Sequence, residues 1–172
     1  MAALGLLSGA ALHAAEFEVD GQRSKVTFIG TKNEGSHTGG FQELTGQMSV
    51  EGNDPTTLAA SVVINVDSMY SDDDKLTAHL KSPDFFEVKR YPQAKFVSTA
   101  VAKTPTGYNL TGNLTMHGVT RRLTVPADIT VTAEGVQLST KFKINRHDWK
   151  ISYGKGVVHD AVALDIQLVA GR

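Results

Sequence analysis

The sequence predicts an all-β fold, an eight-stranded antiparallel up-and-down barrel with one helix on a crossover near residues 72–81. Apolar and polar residues alternate with a period of two along about eight segments, which is typical of strands with one buried face. Turn sequences separate these segments. No helix of 10–15 residues lies between successive strands, and this excludes a sheet of parallel βαβ units.

Eight segments carry the alternating pattern, each with one apolar parity. In chain order they are residues 24–30, 44–51, 60–66, 94–101, 108–116, 123–131, 136–144 and 158–168. Turn residues such as Gly52-Asn53-Asp54-Pro55 and His117-Gly118 stand between them. A strand of ten residues rises about 33 Å, which is more than a sandwich of two ordinary sheets requires. A closed barrel is therefore favoured over a sandwich.

Residues 72–81 predict the single helix. Ser71 offers a hydroxyl N-cap, and the acidic run 72–74 that follows suits the positive end of the helix dipole. Ser82-Pro83 ends the helix because a residue before proline avoids the helical conformation.

Composition excludes several classes of function. Seventeen basic and eighteen acidic residues give a formal charge of −1, so no basic field exists for nucleic acid. The absence of cysteine excludes thiol catalysis and cysteine-ligated metals. An outer-membrane barrel would carry aromatic girdles, but aromatic residues make up only 7% and Lys141 and Lys143 indicate a solvated outer face. We therefore expect a soluble barrel without stable membrane insertion.

Residues 1–15 are expected to be a signal peptide, truncated at its start, and residues 16–172 the barrel domain. The first twelve residues are apolar and uncharged, and small residues follow, as in the hydrophobic region and cleavage zone of a secretory signal. No basic residue precedes the run. The alternative is a buried N-terminal helix. Export predicts a periplasmic or secreted protein.

Seven segments carry a resemblance to a known family. They are SKVTF at 24–28, HTGGF at 37–41, LKSPDFFEV at 80–88, YPQAKFVST at 91–99, LTGNLTMHGVT at 110–120, FKINRHDW at 142–149 and DAVALDI at 160–166. In this order the chain resembles the YceI family of exported, lipocalin-like, polyisoprenoid-binding bacterial proteins. It departs from the family at Trp149-Lys150, where Phe-Gly is usual, and at the less acidic turn His159-Asp160-Ala161.

The resemblance implies an elongated apolar bore that holds an isoprenoid-chain lipid, of quinone or polyprenyl type, without covalent attachment. The implied function is non-enzymatic binding, storage or transport of this amphiphilic ligand. Strand parity and the matched segments predict a wall of apolar side chains around the lipid. They are Phe28, Phe41, Met48, Val62, Ile64, Phe96, Leu110, Leu114, Met116, Leu123, Val125, Phe142, Ile144, Val162, Leu164 and Ile166. The alternative is that the same side chains simply fill the barrel.

Three further residues are candidates for contact with the lipid headgroup. Arg146 offers a donor fork for phosphate or carbonyl oxygen, and Trp149 lies three residues later. An Arg–Asp contact that ties down a loop explains this stretch equally well. His37 lies beside Gly39-Gly40, where a backbone can approach a ligand closely.

The sequence assigns no catalytic residue and no metal ligand. It has no nucleophile elbow, phosphate-binding loop or zinc-protease motif. The alternative function is a periplasmic metal-dependent or acid/base enzyme that uses His37, His117, His147 or His159. A third is an interaction protein that uses the barrel exterior. Whether two barrels pair as a homodimer stays open.

Overall fold

A computed structural model describes residues 14–172. In this part of the chain, strand segments dominate, with one α-helix, α1 (Asp74–Lys81). The strands are β1 (Ala14–Val19), β2 (Lys25–Lys32), β3 (Gly35–Phe41), β4 (Leu44–Glu51), β5 (Ala59–Asn65), β6 (Met69–Ser71), β7 (Gln93–Thr104), β8 (Gly107–Met116), β9 (Val119–Val131), β10 (Gly135–Asn145) and β11 (Ala161–Gly171). The expected signal peptide lies outside the described residues, except for Ala14 and Ala15, which begin β1.

The strands close into an antiparallel barrel with eight positions. Three of these positions are each filled by two short strands, one after the other. β1 and β2 both lie along the same side of β11, β3 and β4 share the next position, and β5 and β6 share the third. β7 to β11 supply the other five, each paired with its neighbour in sequence. Pairing of β1 with both β4 and β11 closes the ring. The predicted meander barrel is confirmed.

Three strand segments, β1, β3 and β6, were not predicted from the sequence. β3 reads GSHTGGF and has no alternating pattern. Its glycines have a packing reason: Gly39 stands opposite Phe28 on β2, and a β-carbon at Gly39 would lie 2.5 Å from the Phe28 ring. The missing side chain therefore makes room for an aromatic ring inside the barrel.

Helix α1 ends as predicted but begins two residues further along than Ser71 would set it. Asp73 is the N-cap, and its carboxylate accepts a hydrogen bond from the Leu76 amide. Ser71 instead donates its hydroxyl to the Asp73 carbonyl oxygen at 2.8 Å. β6 pairs with β3 and still belongs to the wall, and β7 returns beside β5. Residues 72–92 therefore leave the wall between β6 and β7. We call this segment the cover.

Two apolar clusters occupy the two ends of the barrel. The first includes Phe17, Met48, Val50 and Val136, which are almost fully buried. The second contains Leu80 and Phe85 of the cover together with Trp149 and Ile151, and so closes the other end. Within the described residues no helix is long and apolar enough to cross a bilayer.

Candidate ligand-binding cavity

A cavity of about 210 Å³ lies inside the barrel between the two clusters, and its wall exposes apolar atoms alone. The wall comes from the inward-facing parity of β2, β3, β5 and β7–β11, and the cover adds Leu80, Phe85 and Phe86. Ile151 and Val158 belong to the loop between Trp149 and β11, which we call the β10–β11 loop. The cavity therefore runs from the packed end to the covered end.

The side chains in the middle of the barrel do not fill it. Phe96, Leu114 and Leu164 face inward yet keep an intermediate exposure, because the space inside the barrel beside them is open. At the packed end, Met48 and Val136 are only 1% and 0% exposed. The lumen is thus open along its centre and filled at one end.

Aromatic rings shape the covered half of the lumen. Phe28 and Phe41 lie 6.1 Å apart between ring centroids, and Phe41 meets Phe86 of the cover edge-on at 6.5 Å. On the opposite wall the ring of Phe96 occupies the space where Gly112 has no side chain, so any β-carbon there would clash with it. Such tilted ring contacts fix a narrow passage rather than a broad chamber.

The structure brings most of the predicted apolar residues together around a single cavity. Those that line the cavity are Phe28, Phe41, Val62, Ile64, Phe96, Leu110, Leu114, Met116, Leu123, Val125, Phe142, Ile144, Val162, Leu164 and Ile166, and Arg146 joins them. Whether they touch a ligand stays a prediction. They converge because paired strands turn the same alternate residues of every strand toward the barrel axis.

Three predicted residues lie away from the cavity. Met48 has the inward parity but sits in the packed end. Trp149 is 1% exposed in the cluster at the covered end, where its Nε1 donates to the Leu114 carbonyl oxygen at 3.2 Å. His37 has the inward parity, since it pairs with Gly30, but it is not part of the wall, and its Nδ1 donates to Asp72 Oδ1 at 2.8 Å.

The sequence reasoning missed two groups of wall residues. Val26, Ala60 and Leu138 lie on predicted strands with inward parity, so the alternation could have found them. Phe85 and Ile151 come from irregular segments, where no periodicity marks the inward side. Their positions depend on tertiary contacts alone.

Arg146 carries the one formal charge among the described wall residues, and its guanidinium is turned toward backbone carbonyls. Nη1 donates to Ile151 O at 2.9 Å and Tyr153 O at 2.7 Å, Nη2 to Val158 O at 3.0 Å, and Nε to His159 O at 3.1 Å. Burial lowers the pKa of Arg146 from its ordinary value, and nearby Asp160 opposes this. The arginine therefore holds the β10–β11 loop, chiefly through carbonyls rather than through an Arg–Asp contact.

The four histidines of the alternative enzyme hypothesis are dispersed. His37 pairs with Asp72, and His117 Nδ1 donates to the Trp149 carbonyl oxygen at 2.9 Å. His147 Nε2 lies 3.4 Å from Asp160, and His159 is hydrogen-bonded to Thr31 Oγ1. Among residues 14–172 no three His, Asp or Glu side chains converge to hold a metal ion.

Asp72 is the one acidic residue beside these histidines whose pKa is clearly shifted. Its Oδ2 accepts the Thr38 backbone amide at 2.9 Å, and its Oδ1 accepts from His37. The Thr38 amide, followed by the His37 hydrogen bond, holds the pKa of Asp72 below its usual value. The contact attaches the segment before α1 to β3.

An up-and-down barrel of eight antiparallel positions, packed at one end and enclosing an apolar lumen, defines the lipocalin-like class of ligand-binding barrels. Residues 17–170 match the model of the YceI-like domain. The chain therefore belongs to the YceI-like family.

Relatives and solved structures agree with this placement. A UPF0312 protein of Pseudomonas putida strain GB-1 is 34% identical over 178 residues, covering 95% of this chain and 90% of the relative. BcnA of Burkholderia cenocepacia superposes with a TM-score of 0.78 at 28% identity, over 88% of this chain and 98% of that one. A polyisoprenoid binding domain from Saccharophagus degradans gives 0.74 at 19% identity, over 92% and 99%, which shows likeness of fold.

Proposed function

We propose that the protein binds the chain of an isoprenoid lipid in its lumen and stores or carries it without chemical change. One observation supports this above all: inward apolar side chains enclose a lumen that they leave unfilled. An empty apolar space forfeits contacts that a hydrocarbon chain would restore. The polyisoprenoid binding domain of Saccharophagus degradans shares the barrel, which adds support for this class of ligand.

The size of the lumen favours a slender ligand. About 210 Å³ is below the roughly 300–1,000 Å³ of pockets that enclose drug-sized molecules. A flexible chain of narrow cross-section suits such a space, whereas a large fused-ring system does not. Each methylene removed from water contributes about 0.8 kcal/mol, so the part of the chain that enters the lumen binds without a polar anchor.

We further propose that the protein works outside the cytoplasm, in the periplasm or after secretion. The apolar run within residues 1–15 and the small residues that follow it support export. A chain without cysteine also suits an oxidising compartment, because it has no thiol to be mispaired. A carrier there would move a water-insoluble chain between membranes or hold it in store.

A matched pair of Val→Phe variants tests the proposal. Val162 lines the lumen with intermediate exposure, whereas Val97 points outward and is 38% exposed. We expect Val162→Phe to occupy the lumen and weaken binding of a short-chain prenylquinone at least tenfold, while Val97→Phe binds like the wild type. Quenching of Trp149, the single tryptophan, reports binding because its cluster packs against Leu114 and Leu123 of the wall.

Thermal unfolding of both variants separates a filled lumen from a damaged fold. Filling an existing space adds contacts without strain, so the melting temperature of Val162→Phe should not fall below that of the wild type. Equal affinity in all three proteins, or no binding by the wild type, would contradict the proposal.

A further inference from the structure

We infer that the lumen selects isoprenoid lipids whose head carries no negative charge, so that prenols and prenylquinones bind in preference to prenyl diphosphates. The inference rests on the proposed function and names the ligand class within it. It depends on where the charged and polar groups of the wall point.

No donor on the described part of the wall is available to an anion inside the lumen. Arg146 is 4% exposed, and its three nitrogens already make four hydrogen bonds to loop carbonyls. A guanidinium has five N–H groups, and Nη2, which holds the remaining one, also lies 4.0 Å from Asp160 Oδ1. Thr140, the other polar side chain on the wall, donates its hydroxyl to Pro126 O at 2.6 Å.

A charged head would therefore have to stay in water at the covered end. The first cluster seals the opposite end, so the head of a threaded lipid lies near Leu80 and Phe85. Beside them the carboxylate of Asp84 accepts from His79 Nε2 at 2.9 Å, and Lys81 pairs with Asp67 at 3.3 Å. A diphosphate at this end would therefore lie near the carboxylate of Asp84, and the nearby lysine, Lys81, is already paired with Asp67.

Lysines on the outer surface change this balance little. Lys150 and Lys155 lie in the β10–β11 loop and are exposed, where ion pairs contribute weakly and are screened by salt. To keep its charge hydrated, a diphosphate must hold the nearest methylenes of its chain outside the lumen. Each excluded methylene lowers affinity about fourfold, so two lower it about fifteenfold. A neutral head has no such constraint.

The test compares two probes with the same short chain, geraniol and geranyl diphosphate, at 0.15 M salt, about the physiological ionic strength. We expect the wild-type protein to bind the alcohol at least tenfold more tightly, measured by quantitative native mass spectrometry. Equal affinities, or tighter binding of the diphosphate, would overturn the inference while the proposed function stands. Binding of neither probe would overturn both.

A variant that adds a cation to the wall provides the second arm. Phe86 lines the lumen from the cover and is half-buried. Phe86→Lys is expected to raise diphosphate affinity and bring the ratio of the two affinities close to one. Phe86→Met, which removes the same ring without adding charge, should keep the preference for the alcohol. An unchanged ratio in Phe86→Lys with native-like unfolding would contradict the electrostatic cause.

Discussion

At the scale of single residues, Arg146 shows how a buried charge is tolerated beside an apolar lumen. Desolvation penalises a guanidinium, but four carbonyl oxygens of one loop surround this one. Those carbonyls belong to residues without regular pairing, and buried backbone acceptors need a donor. The arginine and the loop thus satisfy one another, and the hydrocarbon-facing side of the arginine completes the wall.

Replacing Arg146 with methionine should therefore destabilise the protein. The substitution keeps an apolar stem but removes every donor, so the loop carbonyls are left without partners. At about 1 kcal/mol or more for each unpaired acceptor, the free energy of unfolding should fall by roughly 4 kcal/mol, measured by urea denaturation. Arg122→Met is the control because Arg122 on β9 is exposed. A decrease in the free energy of unfolding below about 1 kcal/mol for Arg146→Met would show that the loop keeps its structure without the arginine.

Residue types near the site could be predicted from the sequence better than their roles. Arg146 and Trp149 stood out as a cation and an indole in one stretch, yet both hold structure: one fixes a loop and the other donates to Leu114 O. Met48 shares the inward parity of the wall but lies in the packed end. Parity gives the face of a strand, and the depth along the barrel axis depends on strand stagger, which local sequence does not encode.

At the scale of elements, the cover closes one end of the lumen. α1 and the residues after it bring Leu80, Phe85 and Phe86 to the wall. His79 and Phe85 meet Tyr153 of the β10–β11 loop, with ring centroids 4.8 and 5.1 Å from it. Cover and loop together therefore close one end through ring contacts rather than through strand pairing.

Acid should weaken the attachment of the cover through Asp72. Because its pKa is lowered in the folded protein, the stabilisation is fully present above the unfolded carboxyl value of about 3.9 and is lost as pH falls through the lower folded value. Asp72→Asn should thus have a lower melting temperature than the wild type near pH 6, and this difference should shrink below about pH 4.

The control for this comparison is Glu134→Gln, a similar loss of charge in the exposed turn before β10. It should show little difference from the wild type near pH 6. A difference between Asp72→Asn and the wild type that stays constant across the acid range would mean that Asp72 contributes without regard to its ionisation.

Elements were predictable wherever one face of a strand meets the interior. β8, β9 and β10 alternate along most of their length, so their parity and turns are clear in the sequence. β3 has small residues instead, since Gly39 yields space to Phe28 and Gly40 to Tyr70. The N-cap moved from Ser71 to Asp73 because both residue types cap helices and three-dimensional contacts chose between them.

At the scale of the whole molecule, the barrel has two unlike ends. A packed cluster with Phe17 and Val50 seals one end, and the cover with the β10–β11 loop encloses the other. Under the proposed function, this asymmetry would give a bound chain one direction, with its tail toward the packed end and its head toward the cover. The predicted ring of eight antiparallel strands follows from alternation and short turns, but an open lumen does not.

Whether a barrel of this size is filled or hollow depends on a few side-chain volumes. An eight-stranded barrel lies at the boundary between the two, and the sequence alone left both outcomes open. The small side chains of Ala60 and Ala94 leave space in the lumen, whereas the space at Gly112 is taken by the ring of Phe96. Their effect on the lumen appears only when all strands are assembled.

The most direct test is to extract the native, unheated protein with organic solvent after purification from a bacterium that makes isoprenoid quinones, and to identify what is released by mass spectrometry. The account predicts about one isoprenoid-chain lipid with an uncharged head for each wild-type chain, and far less from Val162→Phe. Recovery of no lipid from wild-type protein, even after incubation with prenylquinone vesicles, would contradict a lumen built to hold one.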